Sequence, residues 1–161
     1  MASFTPLLNA APMLQIHVAA ACIAIALAPI VIYRQRRDRR HKQLGYFWVS
    51  AMMICALSSF WLHGIRLWGP FSPIHLLSLW TIFGVSYGVS QAIRGNIAAH
   101  RKTMKSIAFW ALGVAGTLTF LPGRLMNEVA FPNAPVQGFA TILVFFILVV
   151  SGAGLRQRRF S

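Results

Sequence analysis

Residues 13–42 read MLQIHVAAACIAIALAPIVIYRQRRDRRHK, an apolar run closed by a block of cations. The hydrocarbon core of a bilayer is about 30 Å thick and needs about 20 helical residues at 1.5 Å each, which residues 13–32 supply. Four further apolar stretches follow at 46–67, 74–93, 106–121 and 138–155, and the one at 106–121 is the shortest. With 57% hydrophobic residues and a mean hydropathy of +0.64, the 161-residue chain lies outside the range of ordinary soluble proteins. The composition predicts an all-α integral membrane protein: one transmembrane domain over residues 1–161 with five spanning helices.

The block after the first stretch also sets the direction of the chain. Thirteen of the fifteen Lys and Arg residues lie between stretches one and two, between stretches three and four, and in the tail. Arg66 and Arg124 are the other two, at the opposite ends of stretches two and four. Basic residues are retained on the cytoplasmic side, so this bias predicts the N-terminus outside and the C-terminus inside. The net charge of +13 is therefore an orientation signal with affinity for anionic lipid, not a footprint for nucleic acid. No basic residue precedes the first apolar run and six follow it, which predicts a retained helix rather than a cleaved signal peptide. Cys22 and Cys55 fall inside helices and read as small core residues without a disulfide.

The chain repeats. An offset of 58 or 59 residues places His17 on His75, His41-Lys42 on His100-Arg101, and Arg66-Leu67 on Arg124-Leu125. The first four helices thus form two copies of one hairpin entering in the same direction, with the fifth alongside. Gly69-Pro70 and Pro122-Gly123 mark turns at the outer end. Trp61, Trp68 and Phe71 at one boundary and Tyr46, Phe47 and Trp48 at the other read as interfacial aromatic belts. Gly84 and Gly88, four residues apart, predict close packing of the third helix.

At 100° per residue, His41, Cys55, Ser59, His63 and Arg66 of the second helix fall within about 40° of one line, a polar stripe that should face the bundle interior. On the first helix Ala21, Ala24 and Ala28 follow His17 on one face and leave room for something flat and wide. In a bundle arranged in sequence order, helices one and three are diagonal, as are two and four. Diagonal histidines at matched depth can ligate a metal from both faces of a porphyrin. His17 with His75 would form an outer site and His41 with His100 an inner one, so one or two haem b groups are expected as cofactor. The same four histidines, as helix caps or headgroup contacts, equally suit a protein without cofactor. His63 could replace an outer ligand or donate to a quinone oxygen. Arg66 and Arg124 could bind outer-leaflet phosphates or haem propionates.

This pattern resembles the two-haem cytochrome b561 family and its bacterial relatives in its alternating outer and inner histidines, the cations before His41, and Ser72-Pro73-Ile74-His75 opening the third helix. The resemblance covers about residues 12–121 and implies bis-histidine b haems on His17, His41, His75 and His100, with electron transfer across the membrane. The intervals of 24 and 25 residues are shorter than that family usually shows. The His41-Lys42-x-x-Gly45 and His100-Arg101-x-x-Met104 openings also resemble a small uncharacterised bacterial membrane family, the domain-of-unknown-function 2306 type. That likeness covers nearly the whole chain, supplies no activity, and implies a bacterial inner membrane.

Asp38 and Glu128 are the chain's two acids, and both are expected in loops, so a buried carboxylate for proton or sodium coupling is not expected. Phosphate-cradling glycine loops, a serine with a credible base and cysteines at metal-ligand spacing are likewise missing from the sequence. The leading expectation is a small b-type cytochrome-like protein, a membrane oxidoreductase or electron-transfer subunit working with a quinone or redox protein. Its rivals are a cofactor-free accessory, assembly or scaffold protein and, third, a small-molecule channel or carrier.

Overall fold

The structure is a computed structural model that describes residues 3–34, 36–62 and 73–158. Every regular element among them is helical: α1 (Thr5–Leu8), α2 (Pro12–Tyr33), α3 (Arg39–Ser58), α4 (Pro73–Ile93), α5 (Ile97–Ile107), α6 (Ala115–Leu118), α7 (Leu125–Ala130) and α8 (Pro135–Arg158). A 3₁₀ turn (Ser59–Trp61) ends α3, and a π-helical stretch (Ala108–Val114) joins α5 to α6. The chain divides into two compact units, one of Ala10–Leu112 and one of Met1–Asn9 with Gly113–Ser161.

The first unit is a bundle of α2 to α5. Pro12 opens α2, where a missing N–H costs nothing because that group has no partner within the helix. Pro29 lies inside α2, an interruption that helices in lipid tolerate when neighbours satisfy the freed backbone. The side chain of Asp38 caps α3 by accepting from His41 N at 2.9 Å. That of Asn96 caps α5 by accepting from Ala99 N at 3.2 Å. Gly95 has a φ of 79°, which turns the chain from α4 into α5 and which only glycine adopts without strain. α2 packs on α3, α3 on α4, α4 on α5, and α5 returns to α2. The helices therefore follow sequence order, with α2/α4 and α3/α5 on the diagonals.

The core of this unit is solid. Trp48, Met52, Val85 and Ile107 are buried together with Ala24, and the indole Nε1 of Trp48 donates to Ala24 O at 3.1 Å. The alanine face below His17 thus seats an indole ring. Trp48 does not belong to an interfacial belt: it is 1% exposed, whereas Tyr46 and Phe47 are 69% and 68% exposed. Gly84 and Gly88 do bring helices together, since a Cβ on Gly84 would stand 2.9 Å from Ile107 Cδ1 and one on Gly88 2.5 Å from Met104 Cε.

In the second unit α1 packs on α7, and α8 packs on α6 and α7. Asn127 is fully buried and donates from Nδ2 to the carbonyls of Phe120 (2.6 Å) and Pro135 (2.9 Å), tying the connections on either side of α7. Arg124 N donates to Leu121 O at 3.0 Å across Pro122-Gly123, and Gly123 has a φ of 79°. Proline followed by a glycine at positive φ suits a type II turn. Glu128 lies in α7 rather than in a loop.

Among the described residues, three helices are long and apolar enough to cross a membrane: Pro12–Tyr33, Arg39–Trp61 and His75–Ile93. The span expected at 106–121 is built instead from the end of α5, the π-helical stretch and α6. The span expected at 138–155 lies within α8. The second span was expected at 46–67, but α3 starts earlier, at Arg39, because Asp38 caps it there.

Candidate functional site

The polar residues of the first unit gather at two levels. At the first, three consecutive residues at the end of α3 each engage a neighbouring helix. Ser58 Oγ donates to Cys55 O at 3.0 Å and lies 3.1 Å from His17 Nδ1 on α2. A hydroxyl has one hydrogen, so His17 Nδ1–H is the donor in that contact. The lone pair of His17 is then on Nε2, with Cys55 Sγ 3.7 Å away. Ser59 Oγ donates to Ala56 O at 2.6 Å and accepts from Ser78 Oγ of α4 at 2.5 Å. Phe60 stacks on His75, the ring planes 5° apart and the centroids at 5.5 Å.

His17 and His75 are therefore each engaged by the end of α3. Ser58 is not an activated nucleophile, because its proton points to a carbonyl rather than to the imidazole. The stripe expected on the second helix turns inward at Cys55 and Ser59, as the cost of exposing polar groups to lipid requires. His63 and Arg66 lie outside the described residues. Arg124 belongs to the second unit, where it precedes α7.

The second level is the basic end of the unit. His100 Nδ1 is 2.8 Å from Gly88 O, and since a carbonyl only accepts, this nitrogen carries the proton and Nε2 the lone pair. Metal-binding histidines are commonly oriented in this way, one nitrogen fixed by a backbone carbonyl and the other presented. His41, on the diagonal helix, lies within electrostatic reach of His100, Arg101, Arg34 and Asp38. Its Nδ1 is buried without a hydrogen-bond partner among the described residues. Of the four histidines singled out by the repeat, the inner two thus lie in the first turns of α3 and α5, at the same basic end of the unit.

Asp38 organises the entrance to this level. It pairs with Arg34 through two hydrogen bonds, one of them Arg34 Nε to Oδ1 at 3.1 Å, while also capping α3. The Arg34 guanidinium and the His41 N–H hold its carboxyl well below the usual carboxylate range, and Asp38 in turn raises the pKa of Arg34. Arg37 donates to Ala92 O at 3.2 Å and so ties the connection between α2 and α3 to the last turn of α4. Sequence reasoning missed both caps. Their signal was the repeat itself, because Asp38 and Asn96 are 58 residues apart.

Two imidazoles suffice as axial ligands of a haem. A bare metal ion has less to hold it, because among the described residues no group of three or more His, Cys, Asp or Glu converges. Cys22 and Cys55 are both free thiols.

No curated protein and no solved structure matches the chain, so the resemblance to cytochromes b561 has no support beyond the sequence features that suggested it. A family model described as predicted membrane protein (DUF2306) matches residues 14–153. That match takes in both histidine levels and most of the chain, which belongs to this DUF2306 family of predicted membrane proteins.

Proposed function

We propose that this membrane protein binds haem b at its basic end, between His41 of α3 and His100 of α5, and serves as a small electron-transfer protein. The observation that carries the proposal is the His100 imidazole, held through Nδ1 by the Gly88 carbonyl with Nε2 presented, at the same end of the unit as a His41 whose own Nδ1 is buried and without a hydrogen-bond partner among the described residues. Arg101, next to His100 and exposed, suits a propionate of the group, whereas Arg34 is already held by Asp38. A bound haem supplies one-electron redox chemistry at its iron, tuned by axial ligands and burial. The chain's contribution is to fix the two imidazoles, to neutralise the carboxylates and to keep the apolar core beneath dry.

In this reading the chain crosses a bacterial inner membrane five times with its basic end in the cytoplasm, and its electrons pass to a quinone or a redox protein. The outer pair fits a haem less well: Trp48 fills the alanine face of α2, and α3 engages His17 and His75 separately. The same packed core favours the second reading, a cofactor-free accessory or scaffold protein.

The test is a reduced-minus-oxidised visible spectrum of the full chain, purified in detergent after expression with ample haem. A b-type difference spectrum lost in His41→Ala and His100→Ala, and kept in His17→Ala, is the expected result. Loss only in His17→Ala and His75→Ala would move the site to the outer pair. A colourless, folded protein would favour the scaffold.

A further inference from the structure

One face of α4 carries a groove that the histidine levels do not use. Trp80, Phe83 and Tyr87 form its α4 wall and Thr103 part of the α5 wall, Lys102 stands at one end, and the volume is about 420 Å³. That is within the range of about 300–1,000 Å³ typical of small-molecule sites. A second hollow, which shares Trp80 and reaches Leu77 and Trp110, continues it away from the basic end. The three aromatic residues are all exposed, although they lie in the middle of a membrane-length helix. In a bilayer such a face meets lipid or a membrane-embedded partner.

We propose that this groove holds one acyl chain of an anionic phospholipid, with the phosphate on Lys102. Length supports the assignment: from Leu77 to Tyr87 the helix rises about 15 Å, half of the roughly 30 Å of hydrocarbon, which is the depth of one leaflet. Charge supports it as well. Lys102 stands at the end where a headgroup would lie, beside the exposed Arg101 and Lys105. Within the first unit the one acid is Asp38, which is held by Arg34, so no carboxylate of that unit neutralises the lysine and a lipid phosphate can do so. The aromatic wall supplies flat apolar surface, and the glycine-mediated approach of α4 to α5 keeps the groove floor closed.

The test is native mass spectrometry of the full chain released from nanodiscs of phosphatidylglycerol or of phosphatidylcholine. It counts lipid mass, and its result does not depend on whether haem is bound. The wild type should retain one phosphatidylglycerol and no phosphatidylcholine. Lys102→Gln should weaken retention on the order of fivefold, the effect of one cation near an anionic surface. Phe83→Ser should weaken it too. Lys42→Gln, which removes an exposed cation of the same end away from the groove, should leave retention unchanged. Equal retention of both lipids, or equal loss in Lys42→Gln, would overturn the proposal in favour of general surface charge. A lipid-free dimer would overturn it in favour of a second copy covering the face.

Discussion

Trp48 shows at single-residue scale where a sequence pattern misleads. It follows Tyr46 and Phe47, and three consecutive aromatics beside a charge cluster look like an interfacial belt. Yet at 100° per residue Trp48 and Met52 fall within about 20° of the line through His41 and Ser59, so the inward stripe already contained them. Composition pointed one way and helical phase the other, and phase prevails because a helix presents one face to its neighbours. The indole makes one interhelical hydrogen bond and fills the space over Ala24. In a membrane bundle such a bond is worth about 0.6 kcal/mol on average, whereas emptying a well-packed aromatic site costs on the order of 3 kcal/mol. Trp48→Phe should therefore lower stability only slightly and Trp48→Ala severely, read as unfolding in detergent followed by circular dichroism. Phe47→Ala should change it by less than about 0.5 kcal/mol; a loss matching that of Trp48→Ala would refute the core assignment.

Among the elements, the hairpin repeat proves deeper than its histidines. Asp38 caps α3 and Asn96 caps α5, 58 residues on. Trp48 of α3 lies over Ala24 of α2, and Ile107 of α5 meets the Gly84 surface of α4, so in each hairpin a large residue seats on a small one. The histidine spacing made the repeat legible and the Gly84/Gly88 spacing the close packing of α4, whereas the caps and the seat of Trp48 on Ala24 were missed. The break in the fourth helix was not legible either, because a π-helical stretch shifts the phase of its residues without altering hydropathy. The start of α3 has an acid-dependent component of predictable sign. Asp38 has a lowered pKa in the folded protein, so its contribution is complete above the unfolded value of about 3.9 and is lost as pH falls through the folded value below it. Thermal unfolding should hence show no Asp38-linked change from neutral pH down to about 4 and a loss at more acidic pH. Asp38→Asn keeps a cap acceptor but cannot titrate, and the acid-linked step should vanish. An unchanged acid profile in that variant would show that the Arg34–Asp38 pair contributes nothing to stability.

At the scale of the molecule, charge and topology make one statement that the histidine chemistry does not need. The connection between α2 and α3 and that between α4 and α5 lie at the same end of the first unit, joined by the hydrogen bond from Arg37 to Ala92 O. Arg36, Arg39, Arg40, Lys42, Arg94, Arg101, Lys102 and Lys105 are all at that end and exposed. If short basic connections are retained on the cytoplasmic side, this end of the unit is expected there, since reversing it would carry every one of these cations across the bilayer. Accessibility of introduced thiols measures this directly. With Cys22 and Cys55 replaced by alanine, Ala98→Cys at the start of α5 should react with a membrane-impermeant maleimide only in inside-out vesicles. Ala11→Cys, just before α2, should react only in right-side-out spheroplasts. The opposite pattern would mean that the cations serve another purpose and that the charge bias was misread. Changing Arg36, Arg37, Arg39 and Arg40 together to glutamine should yield mixed labelling, because inversion would then be opposed at this end by six cations, Arg34, Lys42, Arg94, Arg101, Lys102 and Lys105, instead of ten.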